Sequence, residues 1–128
     1  VGNPTMNFVS CKATQVSKKE LEIDFHGIPL RFICNEEMEL ENEDVVLGIR
    51  PEHIVLSDTG LRAKVYSTLP SGMETTVKIH FGDDFLTSVV FGIIDYAVDT
   101  EVHLQFTSNH IVLFDQESTN RIAIGELK

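Results

Sequence analysis

The residues of this chain able to bind a metal, attack a substrate or move a proton are five histidines, two cysteines and a few neighbouring aspartates. His26, His53, His80, His103 and His110 are scattered, with no HxH or HxxxH pair to bring two imidazoles to one side of an element. Zinc takes three or four converging ligands, so surface histidine is the simpler reading, and a site assembled from distant strands and turns is the alternative. Asp83-Asp84 and Asp95 with Asp99 could form paired carboxylates for acid–base work. Aspartate also starts and ends turns by bonding its own backbone, which needs no further assumption. Cys11 and Cys34 lack a CxxC spacing and a nearby histidine, so both read as free thiols rather than a bridge or a nucleophile. No serine sits in a GxSxG elbow, and the dipeptide Gly-Lys is absent, which excludes a GxxxxGK[ST] phosphate loop; GxGxxG is missing too. On its residues alone the chain has no catalytic residue, no metal ligand set and no cofactor site.

Charge narrows the partners. Twenty acidic residues against ten basic ones give a net charge of −10 over 128 residues. Proteins that neutralise nucleic-acid phosphates or sit on anionic lipid lean the other way, so neither partner is expected. Six of the nine residues Glu36–Asp44 are acidic, which reads as a solvated loop or edge held open by repulsion. A calcium loop would need DxDxDG spacing, which is absent. The longest apolar stretch, Val89 to Val98, is broken by Asp95 and spans about half a bilayer. No signal peptide opens the chain, and the first residue is Val, so a soluble fragment of a longer protein is expected.

Strands must position these residues. Val, Ile and Thr number 13, 11 and 10 against 4 Ala, a balance that suits pleated surfaces over helices. Leu21, Ile23 and Phe25 alternate with Glu20, Glu22 and Asp24; Thr75, Val77, Ile79 and Phe81 alternate with Thr76, Lys78 and His80. Val102, Leu104 and Phe106 repeat the pattern. Turn residues at His26-Gly27, Gly82-Asp83-Asp84, Ser108-Asn109 and Gln116 to Asn120 separate the runs. The reading is all-β: a small barrel or sandwich of eight or nine short antiparallel strands, with at most a one-turn helix near Pro51.

Three phrases then carry a resemblance: Val1-Gly2-Asn3-Pro4-Thr5-Met6-Asn7-Phe8, Val46-Leu47-Gly48-Ile49-Arg50-Pro51-Glu52-His53-Ile54, and Val112-Leu113-Phe114-Asp115 through Arg121-Ile122. In order and spacing they resemble the C-terminal regulatory region of ATP-binding subunits of ABC-type importers, in the maltose-type sugar and glycerol-phosphate branch. That region opens "GxPxMNF", carries "GIRPEH" and ends "LFDxxTGxRI". Gly72-Met73-Glu74-Thr75-Thr76-Val77 looks like its "GsETlv" strand start. Two departures are Leu69-Pro70-Ser71, where the family has an unbroken strand, and Ser118-Thr119-Asn120 before Arg121, where asparagine is expected to take the left-handed conformation of the family's glycine.

The resemblance implies an OB-like or MOP-like barrel with a TOBE module, residues 1–128 forming one C-terminal regulatory domain without the preceding nucleotide-binding domain. ATP and Mg would belong to that absent domain. The implied function is to hold two ATPase subunits together as a homodimer and to offer regulators a docking surface. The implied partners are a second copy, its own nucleotide-binding domain and, through it, the transmembrane permease, at the cytoplasmic face of the membrane. Candidate interface residues are Asn7, Phe8, Arg50, Glu52, His53 and Phe114. The bland alternative makes Ile49 and Ile54 core, Pro51 a turn former and Arg50–Glu52 a local ion pair, with Phe8 as packing and Phe114-Asp115 as a strand end. A competing reading is an oxyanion pocket of the molybdate type at Thr75, Thr76 and Lys78. Nucleic-acid binding would need exposed aromatics, whereas the phenylalanines read as lying mostly on apolar strand faces.

Overall fold

The computed structural model describes residues 6–128, so Val1-Gly2-Asn3-Pro4-Thr5 of the opening phrase lie outside the described residues. Among the described residues eleven strands form: β1 (Asn7–Ser17), β2 (Glu20–Phe25), β3 (Ile28–Cys34), β4 (Asp44–Ile49), β5 (Ile54–Ser57), β6 (Leu61–Ser71), β7 (Glu74–Phe81), β8 (Asp84–Phe91), β9 (Glu101–Phe106), β10 (Ile111–Asp115) and β11 (Arg121–Leu127). The helical content of the described residues is one 3-10 turn at Pro51–His53, where Pro51 takes the position that needs no N–H donor. The count exceeds the expected eight or nine, and β4 and β5 are among the additions. They flank Arg50-Pro51 as apolar runs without alternation, so periodicity does not separate them.

The chain divides into two compact units, and the division is not sequential. One holds Arg50–Thr107 together with Met6 and Asn7; the other holds Phe8–Ile49 and Ser108–Lys128. The second unit is a closed six-stranded barrel in the order β1-β2-β3-β11-β10-β4. Alternation supplies its core: Val9, Leu21, Ile23, Phe25, Phe32, Leu47 and Leu113 are fully buried, while the acidic partners of the β2 alternation stay at or near the surface. The β2–β3 hairpin turns on His26 and Gly27, both at positive φ (52° and 86°), as a two-residue turn with the strand twist requires. Gly125 of β11 lies so close to β3 that a Cβ there would stand 2.0 Å from the Ile33 carbonyl oxygen. Glycine is therefore the residue that lets the barrel close at this seam.

The first unit is a five-stranded antiparallel sheet in the order β5-β9-β6-β7-β8. Val65, Val77, Ile79, Leu86 and Leu104 are buried on its inner face. Strand β6 runs unbroken through Pro70, paired there with Thr75 of β7. Its other neighbour, β9, covers only Leu61 to Lys64, so the N–H that proline lacks has no ladder to join.

Candidate interaction surface

The structure brings two of the six candidates into contact. Phe8 is the first outward-facing residue of β1, and its side chain is 61% exposed. Phe114 stands outward and half-buried on β10, opposite Val46 of β4. The Phe8 and Phe114 rings meet edge to face, centroids 6.1 Å apart and planes at 60°. With Val46 and Val112, also outward and half-buried, they make an apolar patch on the outside of the barrel. The strand period dictates this: Val45, Leu47 and Leu113 fill the interior, so Val46, Val112 and Phe114 must point out.

Arg50, Glu52 and His53 cluster locally in the other unit. Arg50 is extended and exposed, and its carbonyl accepts the His53 N–H at 2.9 Å; Ile54 N–H closes the turn on the Pro51 carbonyl. Ile49 and Ile54 are core and Pro51 is buried. The expected Arg50–Glu52 ion pair is not formed among the described residues, and both side chains point to solvent. His53 is tied by its backbone, its carbonyl accepting the Thr107 N–H at 3.0 Å. Asn7, in the same unit, is 7% exposed, and its amide bonds to the backbone of Thr87.

Sequence reasoning missed Asp115. It does more than end β10: its carboxylate accepts from the Ser118 N–H at 2.8 Å and the Asn42 amide at 3.2 Å, so it holds the β10–β11 turn against the acidic segment. These donors, the Ser118 backbone N–H foremost, hold its carboxyl below the ordinary carboxylate range. The residue that takes the left-handed conformation in this turn is Thr119, at φ 63°, and not Asn120 as expected. The reason is register: Thr119 itself stands at the glycine position of the phrase.

The oxyanion pocket does not assemble. Thr75 faces inward, fully buried, its hydroxyl donating to the Gly92 carbonyl at 2.7 Å and accepting from Ile94 N–H at 3.0 Å. Thr76 and Lys78 face outward, and Lys78 Nζ lies over the Tyr66 and Phe85 rings at 5.9 and 5.4 Å. A hollow of about 620 Å³ on the barrel is lined by Glu39, Glu41, Asp115 and Glu117, which repel oxyanions. The phenylalanines divide more evenly than expected. Phe25, Phe32 and Phe81 are buried, but Phe8, Phe85 and Phe91 are exposed. On β8 the buried positions are Leu86 and Ser88, the Ser88 hydroxyl donating to the Ile54 carbonyl at 2.6 Å. Both cysteines are buried and unbridged; burial pushes the Cys34 thiol up, with Lys19 opposing. Among the described residues, no helix is long and apolar enough to cross a membrane.

Two family models match this chain: the MalK OB fold domain over residues 2–54 and the TOBE domain over residues 47–114. The chain belongs to the TOBE domain family. It is similar to an uncharacterized ABC transporter ATP-binding protein of Sinorhizobium fredii, 28% identical over 123 residues, which are 96% of this chain and 33% of that protein. It is also similar to a sulfoquinovosyl glycerol transport ATP-binding protein of Agrobacterium fabrum, 30% identical over 127 residues, 95% of this chain and 35% of that one. The chain thus spans about a third of the length of the curated relatives it matches. The chain joins a MalK-type OB fold region to a TOBE domain, a pairing that belongs to ATP-binding subunits of ABC transporters, and the matched modules are not their ATP-hydrolysing part. The two matches follow the chain, whereas the folded units interleave, since the barrel takes its last two strands from beyond Thr107.

Proposed function

We propose that this chain is the non-catalytic regulatory end of an ATP-binding subunit of an ABC importer, and that it holds two such subunits together. The observation that carries the reading is the outward-facing pair of exposed Phe8 and half-buried Phe114 on the barrel's outer wall. Exposed aromatics with an apolar surround are the usual anchors of a protein interface. A standing contact between two regulatory ends keeps two ATPase parts at high effective concentration, so reclosure after each cycle is intramolecular. A regulator docking on the chain would slow or favour transport by the difference in its affinity for the open and closed states.

The imported solute is a sugar or a glycerol-phosphate compound, a reading supported by the relatives' branch and by the phrases shared with it. ATP and Mg act in the nucleotide-binding part, and the permease is reached through that part, at the cytoplasmic face of the membrane. Arg50, Glu52 and His53 form a second exposed feature suited to contact with the ATPase part.

Sedimentation equilibrium tests the central claim. The expected result is a weak dimer whose association falls more than about tenfold in Phe8→Ala/Phe114→Ala, since each anchor contributes about 1–2 kcal/mol. A chain that stays monomeric at millimolar concentration, or a folded double variant that dimerises as before, overturns it.

A further inference from the structure

The outward face of β6, β7 and β8 gathers a cationic and aromatic cluster in a chain of net charge −10. Val65, Ile79 and Leu86 are buried, so alternation turns Lys64, Lys78, His80 and Phe85 outward, and all four are exposed. Tyr66 stands at a bulge, where the β6–β7 register shifts between Val65 and Ser67, and it too faces solvent. Its ring meets Phe85 edge to face at 4.9 Å, and His80 stacks on Phe85 at 4.8 Å and 18°. Lys78 Nζ lies over the Tyr66 and Phe85 rings, which steady the ammonium without neutralising it. Glu101, the cross-strand partner of Lys64, accepts from Arg62 at 3.0 and 3.3 Å. Lys64 and Lys78 themselves make no ion pair among the described residues.

The barrel carries the converse. Lys12 pairs with Glu43 and Asp44 at the end of the acidic segment, but Glu36, Glu37, Glu39 and Glu41 are exposed and make no ion pair among the described residues. The segment does not drift free to relieve their repulsion. Met38 N–H donates to the Lys18 carbonyl at 2.8 Å, and Leu40 N–H donates to Gln15 Oε1 at 2.7 Å. Two surfaces of opposite sign are thus held in place, and neither is neutralised within its own chain. Surfaces fixed in advance lose less freedom on docking.

We propose that the Lys64–Lys78 face docks the acidic segment of a second copy, with both ammonium groups donating to the carboxylates of Glu37 and Glu39. Every copy carries both halves, so like chains supply the opposite charge that each lacks. Single-stranded nucleic acid is the other polyanion to weigh. It needs open ring faces on which bases stack, and here His80 and Lys78 already lie on Phe85. A carboxylate needs only the ammonium groups. The proposal does not rest on the function put forward above: the Phe8–Phe114 contact is apolar, whereas this one is screened by salt.

The test is a charge swap between chains, read by sedimentation velocity at about 20 mM salt in a Phe8→Ala/Phe114→Ala background that removes the apolar contact. One chain carries Lys64→Glu/Lys78→Glu and a second carries Glu37→Lys/Glu39→Lys. Each alone should associate at least about tenfold more weakly than the background, because like charges then face each other. An equal mixture should regain the background level, since every surface again finds its opposite. A second measurement needs no variant: in the parent chain, amide signals of residues 36–41 and 64–80 should shift with concentration and return at about 300 mM salt. A background chain that is monomeric at low salt, variants that associate as it does, a mixture no stronger than its components, or shifts confined to one surface would each overturn the proposal. So would an oligo-dT that moves the signals of residues 64–80 at lower concentration than the chain itself, which would make the face a nucleic-acid surface.

Discussion

At the scale of single residues, the β10–β11 turn concentrates the chemistry that can be tested directly. Thr119 is a β-branched residue at φ 63°, a conformation that costs such a side chain on the order of 1–3 kcal/mol. Glycine relieves that strain and gives back part of the gain as unfolded-state entropy. Thr119→Gly should therefore stabilise the chain by about 1 kcal/mol, read as a higher urea midpoint. Asp115 makes a prediction about pH. Its carboxyl is held below its ordinary value of 3.8, so its contribution is fully present above that value and is lost as the pH falls through the lowered one. Glu20 and Glu101 are lowered likewise by hydrogen bonds from Arg31 and Arg62, at exposed sites where screening leaves little effect. Asp115→Asn should be less stable than the parent at pH 7 and approach it near pH 3. An equal gap at both pH values would show that the charge is not what matters. Phe8 and Phe114 were legible in the sequence as candidates because their phrases stood out. Their contact was not, since residues 106 positions apart meet only when a barrel closes. Asp115 was hidden because an aspartate before a turn needs no special account until its partners Ser118 and Asn42 are seen.

Among the elements, alternation located the strands well wherever one face was polar, as in β2, β7 and β9. It failed where polarity and burial disagree. In β8 the inward Ser88 and the outward Phe85 and Phe91 invert the usual pattern, because a neighbouring carbonyl rewards the buried hydroxyl and the oily residues are left outside. Composition carried no trace of the seam between β3 and β11. Nothing in the sequence singles out Gly125, yet its missing side chain is what permits the approach of the Ile33 carbonyl. Gly125→Ala should force the two strands apart and cost about 3 kcal/mol or more, at or beyond the upper end for overpacking. The expected signature is lost protection in β3 and β11 with the five-stranded unit unchanged by NMR. A variant with the stability of the parent would mean that the seam yields freely.

On the scale of the molecule, the fold class was legible in full and the organisation was not. Hydrophobic pattern reports which residues are buried but not which strands are neighbours, so the pairing of β3 with β11 and of β4 with β10 was out of reach. The antiparallel pair Gly48–Val112 places the end of β4 beside the start of β10, so Arg50–Thr107 occupies what would otherwise be a hairpin loop. Replacing those residues by a two-residue Asn-Gly turn should leave a smaller chain, Phe8 to Lys128, that still folds cooperatively as a six-stranded barrel. A molten or unfolded product by circular dichroism and NMR would show that the barrel depends on its insertion.

That same interleaving sets an order of events during synthesis. As the chain leaves the ribosome from its first residue to its last, β1 to β4 emerge early, with β3 and β4 as bare edges. They must wait while the whole of Arg50–Thr107 is made, and they are covered only when β10 and β11 follow. A translation product halted anywhere before Arg121 would carry two unsatisfied edges and an open apolar interior, the combination that proteases and chaperones detect most readily.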